Sequence, residues 1–208
     1  MGRHLADVAT RNEAMAGVVE ELQRAYQVIA LSLKSGGTLF LAGNGGSMAD
    51  ALHISGELLK SFARARPLPE HLQQKLSAQP EGALLARNLQ SGLRAVVLGA
   101  NPALASAVAN DMPDRDVNLA QELLALARPG DVLLGISTSG NARNVALAMQ
   151  TAAALGLRTI GMSGQGGGRL AQLAEVMLRV PAQETARVQE LHIQCYHALC
   201  AQLEEDLT

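Results

Sequence analysis

The chain has 208 residues, of which 48% are hydrophobic and 17% charged, and its formal net charge is -2. This length and apolar content fit one folded domain and exclude an intrinsically disordered protein. Aromatic residues make up 2% and tryptophan is absent, which argues against a base-stacking surface for single-stranded nucleic acid. The 17 basic and 19 acidic residues give no overall basic field for DNA or an anionic membrane. We therefore expect neither a nucleic-acid partner nor a membrane partner.

The two cysteines, Cys195 and Cys200, lie five positions apart and lack the C-x-x-C spacing of a redox motif. No apolar run reaches the length of about 18 residues that a membrane span needs. The first residues also lack the apolar segment of a signal peptide. These features predict a cytoplasmic protein with reduced thiols.

Residues 1–34 are predicted to form a helical region. Apolar residues recur at helical spacing from Leu5 to Leu31, and near the end of the region they occupy more than one face. Such a helix has to be covered on more than one side, either by its own domain or by another subunit.

After Gly36 and Gly37, short apolar runs alternate with longer helical patterns. The apolar runs cover 38–42, 95–99, 131–136, 159–162 and 176–180. The helical patterns cover about 47–62, 102–109, 116–127, 142–155 and 168–174, and a last helix covers about 184–207. This alternation predicts right-handed βαβ units, and so an α/β fold with a largely parallel sheet and helices on both of its faces.

Residues 64–93 interrupt the alternation. Prolines mark the start of this segment, and Pro80 divides it into two weak helical patterns. We interpret it as an insertion between the first helix and the second strand, closer to a lid or packing flap than to a second domain. Residues 1–208 then form a single domain.

Two polar loops follow strands of the predicted sheet. Gly43-Asn44-Gly45-Gly46-Ser47 follows the first strand, and Ser137-Thr138-Ser139-Gly140-Asn141 follows the third. Glycines allow close backbone approach, a following helix offers free N–H groups, and hydroxyls donate hydrogen bonds, so the pair predicts a phosphate site. The alternative is a tight turn with a helix cap at each position. Neither loop has the spacing of a dinucleotide or P-loop motif, so we expect no nucleotide cofactor. A third loop, 163–168, has the composition of a flexible turn.

The candidate acid–base residues lie on two helices. His53 and Glu57 are spaced i, i+4 after the first loop, and Gln189, His192 and His197 share the last helix. Glu57 lies among apolar and small residues, an environment that suits a carboxylate to proton abstraction. The alternatives are a surface hydrogen bond between His53 and Glu57 and ordinary core packing of the histidines on the last helix.

Taken together, these residues resemble the sedoheptulose-7-phosphate isomerases, also called phosphoheptose isomerases, of the sugar-isomerase (SIS) domain group. The resemblance is carried by the following motifs, in chain order: GNGGS at 43–47, His53-x-x-x-Glu57, Ala109-Asn110-Asp111, GDVLLGISTSGN at 130–141, RVQExH at 187–192, and His197. It spans most of the chain except 64–93.

The resemblance implies a three-layer αβα sandwich, flavodoxin-like, around a five-stranded parallel sheet. The terminal helices, including the region 1–34, would build a homotetramer with active sites between subunits. The implied reaction converts sedoheptulose 7-phosphate into glycero-manno-heptose 7-phosphate, a precursor of the heptose of bacterial surface polysaccharide.

The resemblance also implies roles for individual residues. Glu57 would be the base that moves the proton, and His197 the acid/base for the hydroxyl groups. The phosphate and sugar would be bound by Asn44, Gly45, Gly46, Ser47, Asp111, Ser137, Thr138, Ser139 and Gln189. Members of the family can carry zinc, and the matching ligands are His53, Glu57, Gln189 and His197.

The chain departs from the family pattern at three places, one of which is the insertion 64–93, next to the expected mouth of the site. Ala142 replaces a serine that supplies a phosphate donor, and Arg143 beside it is a candidate to compensate with its charge. Lys60-Ser61 stands where the family often has Gly-Arg. Three alternatives therefore stay open: an isomerase of a related phosphosugar, a non-catalytic SIS protein that binds a replication initiator, and a regulatory SIS module that senses a sugar phosphate.

Overall fold

The computed structural model describes residues 2–208 and is built on a five-stranded sheet whose strands are all parallel. The strands are β1 (Leu39–Ala42), β2 (Ala95–Val97), β3 (Val132–Ile136), β4 (Arg158–Ser163) and β5 (Val176–Arg179), in the order β2-β1-β3-β4-β5. The register pairs Leu41 with Val97 on one side and with Leu134 on the other. The strand order changes direction between β1 and β3, and ligands of such sheets bind at that point, beyond the carboxyl ends of the strands.

The helices are α1 (Arg3–Arg11), α2 (Val19–Lys34), α3 (Gly46–Leu59), α4 (Glu70–Ser77), α5 (Gly82–Asn88), α6 (Pro102–Asp111), α7 (Asn118–Leu126), α8 (Arg143–Ala154) and α9 (Thr185–Leu207). Short 3-10 helices cover Glu13–Val18, Arg115–Val117 and Gly168–Gln172. The N-terminal helical region is thus interrupted, because Asn12 is extended with φ -147°. The expected helix at 168–174 is a 3-10 helix, which begins after Gly167 in the left-handed conformation.

The sheet separates two apolar cores, which confirms the three-layer αβα architecture. Leu39 and Leu41 of β1 pack with α1, α2, α3 and α9, whereas Phe40 and Ala42 pack with α7 and α8 on the opposite face. This division follows from the strand geometry, in which successive side chains point to opposite faces. A parallel sheet covered on both faces also explains why the strands are continuous apolar runs.

The segment 64–93 forms α4 and α5, one on each side of Pro80. α4 has no buried residue and α5 buries only Gly82. Its ends are held more firmly, because Arg66 and Leu68 are buried and Pro67 forms an antiparallel bridge with Gln90. Within residues 2–208, no helix combines the length and apolarity needed to cross a bilayer.

Candidate active site

The two polar loops meet at the carboxyl edge of the sheet, because β1 and β3 are neighbours. Asn44 of the first loop exchanges two hydrogen bonds with Asn144 of α8, at 2.8 and 2.9 Å. Gly45 has φ +53°, a left-handed conformation that favours glycine, and α3 begins directly after it. The N-termini of α3 and α8 therefore lie at one edge, where their macrodipoles favour an anion.

The hydroxyl-rich loop is shaped by its own backbone and by the third loop. The Oγ atoms of Ser137 and Ser139 accept from the N–H groups of Ala142 and Asn141, at 3.4 and 3.2 Å. A Cβ on Gly140 would lie 2.0 Å from the carbonyl oxygen of Gly167, so the two loops touch through glycines. The N–H of Gly164 also donates to the carbonyl of Thr138 at 3.0 Å. The loop at 163–168 thus supports the hydroxyl-rich loop.

The positive charge beside this loop is already paired. Arg143 forms hydrogen bonds with the carboxylates of Asp114 and Asp116, the latter at 2.6 Å. Its guanidinium lowers the pKa of Asp114 to about 2 through these hydrogen bonds. Arg143 thus stands beside Ala142 with two acidic partners of its own. At this edge of the sheet, an anion would meet uncharged hydrogen-bond donors and two helix N-termini.

Lys60 and Ser61, another departure from the family pattern, and the expected sugar ligand Asp111 form the following hydrogen bonds. The Nζ atom of Lys60 donates to the carbonyl of Ser61 at 2.8 Å, and the N–H of Ser61 donates to Gln90 at 3.0 Å. Asp111 is exposed and accepts a hydrogen bond from Asn110 at 2.7 Å. No hydrogen bond in residues 2–208 links Asp111 to Glu57 or His197.

The candidate acid–base residues are joined by a chain of hydrogen bonds. The Nε2 atom of His53 lies 3.0 Å from Oε1 of Glu57, and its Nδ1 atom lies 3.0 Å from the hydroxyl of Tyr196. The Tyr196 hydroxyl in turn donates to Oδ1 of Asp50 at 3.3 Å. Asp50, His53 and Glu57 are spaced by three and four residues, so they form one stripe along α3 that faces α9. The sequence analysis identified His53 and Glu57 but missed Asp50 and Tyr196.

His197 lies against this chain of hydrogen bonds. Its ring centroid is 5.0 Å from that of His53 and 5.4 Å from that of Phe62. Its Nε2 atom is buried and has no hydrogen-bond partner within residues 2–208. Burial lowers the pKa of His197, the nearby His53 lowers it further, and Glu57 acts in the opposite direction. The imidazole is therefore neutral at pH 7 and has both a donor and an acceptor for proton transfer.

A cleft of about 660 Å³ adjoins His197. It lies between α1, the chain at Phe62 and Ala63, and α9. The charged side chains that line it are Asp7, Arg11 and Arg187, and His4 lines it as well. His197 thus has His53 and Glu57 on one side and an open cleft on the other.

The remaining residues of α9 have different surroundings. Gln189 packs against the first loop, since a Cβ on Gly46 would lie 2.1 Å from its Nε2 atom. His192 is fully buried, and burial lowers its pKa to about 4. The structure thus brings Glu57, His53 and His197 together, places Gln189 against the loop 43–47, and leaves His192 as a neutral core residue.

A buried ion pair holds the end of α3, and the sequence analysis did not identify it. The Nε atom of Arg66 lies 2.7 Å from Oε1 of Glu204 on α9, and both side chains are fully buried. The guanidinium also donates to the carbonyls of Leu58 and Glu57, at 2.7 and 3.0 Å. These carbonyls end α3 without helical partners, so Arg66 satisfies them and fixes the turn that carries Glu57. Arg66 follows Arg64 in an alternating Ala-Arg-Ala-Arg sequence, and no local pattern distinguishes the buried arginine from the exposed one.

The donor types at the site suit zinc. Two imidazoles and a carboxylate are common zinc ligands, and Nε2 of His197 lacks a protein partner. Within residues 2–208, however, no three His, Cys, Asp or Glu side chains are arranged as a metal site. The residues fit the metal by donor type and proximity, but they are not gathered around one point.

Comparisons with known proteins agree with the geometry. Two SIS domain family models match residues 5–91 and 108–203. A phosphoheptose isomerase of Akkermansia muciniphila is 31% identical over 96% of this chain and 93% of its own length. One from Crocosphaera subtropica is 39% identical over 89% of this chain and 82% of its own. A solved structure of phosphoheptose isomerase GmhA from Neisseria gonorrhoeae superposes with a TM-score of 0.75 and 31% identity, over 97% of this chain and 95% of that one.

Proposed function

We propose a function that follows from family and site together: the chain belongs to the phosphoheptose isomerases of the SIS domain family, and it converts sedoheptulose 7-phosphate into D-glycero-D-manno-heptose 7-phosphate. This is the reaction of an enzyme that supplies heptose for surface polysaccharide. The observation that carries the proposal is the contact of Glu57 and His197 through His53, next to a sheet edge shaped for an anion. Aldose–ketose isomerisation needs these parts: a base near a carbon acid, a proton donor for the oxygens, and an anchor remote from both.

The phosphate is bound by neutral donors in this proposal. Ser47, Ser137, Thr138 and Ser139, with the backbone of Gly45 and Gly46, lie at the N-termini of α3 and α8. Asn44, Asp111 and Gln189 are the proposed sugar contacts. Binding energy from the phosphate holds the open-chain sugar in place for the proton transfers, although the phosphate does not react.

Glu57 and His197 move protons between the first two carbons of the sugar. The Glu57 carboxylate takes a proton from C1, while the neutral His197 imidazole donates a proton to O2 and an enediol forms. Glu57 then returns its proton to C2, and His197 recovers a proton from O1, so that an aldehyde forms at C1. His197 is neutral at the start of the cycle because burial lowers its pKa.

The proposal also includes a bound zinc ion. His53, Glu57, His197 and Gln189 would hold it, and when bound it supplies a Lewis acid for the sugar oxygens. We expect the metal content of the purified protein to approach one zinc per chain and its melting temperature to fall after chelation. His53→Ala should abolish both effects, whereas His71→Ala in α4 should leave them unchanged. A metal-free protein that does not respond to added zinc would contradict this part alone.

We also propose the homotetramer, with active sites between subunits and the 1–34 region in the interface. Leu52 and Leu59 support it, because they flank His53 and Glu57 on α3 and are 50% and 53% exposed. Light scattering should give four times the chain mass of 21.8 kDa. The double variant Leu52→Glu, Leu59→Glu should lower that mass, whereas Leu124→Glu, on the far side of the sheet, should not.

We further propose that the protein resides in the cytoplasm. Cys195 and Cys200 are buried free thiols, and reduced thiols are typical of that compartment.

Glu57→Gln tests the function directly. Loss of the base should lower kcat for sedoheptulose 7-phosphate by about 10²- to 10⁴-fold, with unchanged folding and retained binding of the sugar phosphate by calorimetry. The matched control is Glu21→Gln, which removes a surface carboxylate that is paired with Arg24. Full turnover in Glu57→Gln would refute the mechanism. A wild-type protein inactive on this sugar but active on another phosphoketose would move the assignment to that substrate.

A further inference from the structure

Asn44 and Asn144 form a pair of side-chain amides that joins the loop 43–47 to α8. The Nδ2 atom of Asn44 donates to Oδ1 of Asn144 at 2.8 Å, and Nδ2 of Asn144 donates to Oδ1 of Asn44 at 2.9 Å. A carboxamide has two N–H donors and an oxygen with two lone pairs. Asn44 is exposed, and it keeps one N–H and one lone pair that the amide pair does not use.

A third hydrogen bond sets the direction of this amide pair. Oδ1 of Asn144 also accepts from the backbone N–H of Val145, at 3.0 Å, in the first turn of α8. If Asn144 turned its carboxamide over, an NH2 group would face this N–H and the bond would be lost. If Asn44 alone turned over, NH2 would face NH2 and oxygen would face oxygen. The backbone of α8 therefore fixes, through Asn144, where the donor and the acceptor of Asn44 lie.

The backbone of Asn44 is held separately from its side chain. The carbonyl of Asn44 accepts from the N–H of Ser47 at 3.0 Å. A Cβ on Gly43 would lie 2.5 Å from the carbonyl oxygen of Ser47, so the turn around Asn44 is tight. The turn thus fixes the main chain, whereas the orientation of the carboxamide depends on Asn144.

We propose that Asn144 is a positioning residue, which holds the Asn44 carboxamide in one orientation for a hydroxyl group of the bound sugar phosphate. A hydroxyl group both donates and accepts, so an amide with a fixed donor and a fixed acceptor favours one placement of that group. Without Asn144, the Asn44 side chain has to be ordered when the sugar binds, and this ordering lowers affinity. The kinetic part of the inference rests on the isomerase function proposed above.

Asn144→Ala removes the partner and leaves Asn44 in place. Because Asn44 is a proposed binding contact and not a proton-transfer residue, its disorder should weaken the ground state and the transition state alike. We expect KM for sedoheptulose 7-phosphate to rise by about 3- to 10-fold and kcat to change by less than about twofold. The amide pair lies at the surface, so the melting temperature should stay within a few degrees of the wild type.

The matched control is Asn88→Ala in α5. Asn88 is also an exposed asparagine with a bonded carboxamide, which donates to the carbonyl of Leu84 at 2.8 Å. This control should leave KM and kcat unchanged.

A double-mutant cycle shows whether Asn144 acts through Asn44. Asn44→Ala should raise KM at least as much as Asn144→Ala does, because it removes the contact itself. Adding Asn144→Ala to Asn44→Ala should then change KM by less than about twofold, since the group that Asn144 orients is already absent. Effects on KM that multiply in the double variant would show that Asn144 acts independently of Asn44, and would overturn the inference.

Nitrogen-15 relaxation of asparagine-labelled protein tests the orientation without any assay of activity. With the side-chain signals assigned from the Asn44→Ala and Asn144→Ala samples, the Nδ2 group of wild-type Asn44 should have an order parameter of about 0.85, as in a rigid backbone. In Asn144→Ala this order parameter should fall below about 0.6, the range of flexible groups. Asn88→Ala should leave it as in the wild type.

The outcomes separate this inference from the proposed function. A wild type that is inactive on phosphoketoses, with a rigid Asn44 carboxamide that becomes mobile in Asn144→Ala, would keep the positioning role and reject the function. An active wild type with a mobile Asn44 carboxamide, or with an unchanged KM in Asn144→Ala, would overturn the inference and keep the function.

Discussion

The start of the segment 64–93 and the α4–α5 hairpin that follows it differ in how they are held. At its start, Arg66 is fully buried in an ion pair with Glu204, and the N–H groups of Phe62 and Ala63 donate to the same carboxylate at 2.8 Å. Further along, α4 and α5 pack mainly against each other, and Leu72 and Leu84 are 38% and 50% exposed. One buried ion pair thus decides which part of the segment is fixed against the end of α3.

Changes in these two parts should therefore have different consequences. The anchored start fixes the last turn of α3, and Glu57 lies on that turn. The α4–α5 hairpin contributes almost no buried apolar area, so changes there should have little effect on stability or on the site.

Glu204→Gln should produce the largest effect. Glutamine keeps the shape of the side chain but leaves the Arg66 charge buried without a partner, a loss that typically costs about 3–5 kcal/mol of unfolding free energy. Urea denaturation measures it. The neighbouring Glu205→Gln is the matched control, because its partners Arg3 and His4 lie at the surface, and exposed pairs contribute about 1 kcal/mol or less. Equal losses of unfolding free energy in the two variants would show that the buried ion pair contributes no more than the exposed one.

The ion pair of Arg66 and Glu204 should also make the stability of the fold depend on pH in the acidic range. Burial raises the pKa of Glu204, but the N–H groups of Phe62 and Ala63 and the Arg66 guanidinium lower it more, so the pKa lies below its ordinary value of 4.5. A carboxyl group with a lowered pKa stabilises the fold above the pKa of the unfolded chain, and this contribution is lost as the pH falls through the folded pKa. Melting temperatures below pH 4.5 should therefore drop more steeply in the wild type than in Glu204→Gln. Parallel curves would show that the carboxylate is not held as described.

The smallest effect is expected in the hairpin. Leu84→Gln replaces a half-exposed side chain of α5, and surface changes of this kind alter unfolding free energy by about 0.5 kcal/mol or less. Its kcat should equal that of the wild type. Leu58→Gln is the contrast, since it changes a fully buried leucine on the anchored side of α3. A large loss in Leu84→Gln would show that the hairpin packs on something outside the single chain, such as another subunit.

Prediction from sequence succeeded where the signal was local. All five strands lie where the apolar runs place them, and the loops with Gly45 and Ser137 follow β1 and β3 as expected. It did not identify the partners of Arg143, because these aspartates lie 27 and 29 positions away. The stripe of Asp50, His53 and Glu57 was visible as helical spacing, but the partner of Asp50 is Tyr196, 146 positions along the chain.

The sequence by itself determined the alternation of strands and helices, the glycine- and hydroxyl-rich loops, and the i, i+4 pair of His53 and Glu57. These features follow from periodicity and backbone chemistry within about ten residues, so they need no knowledge of distant parts of the chain. Only the tertiary structure decided that His197 meets His53, that Tyr196 lies between them, and that Arg66 is a buried anchor rather than a surface charge. The physical reason is that a buried polar group is defined by its partners, and the fold brings those partners from far along the chain.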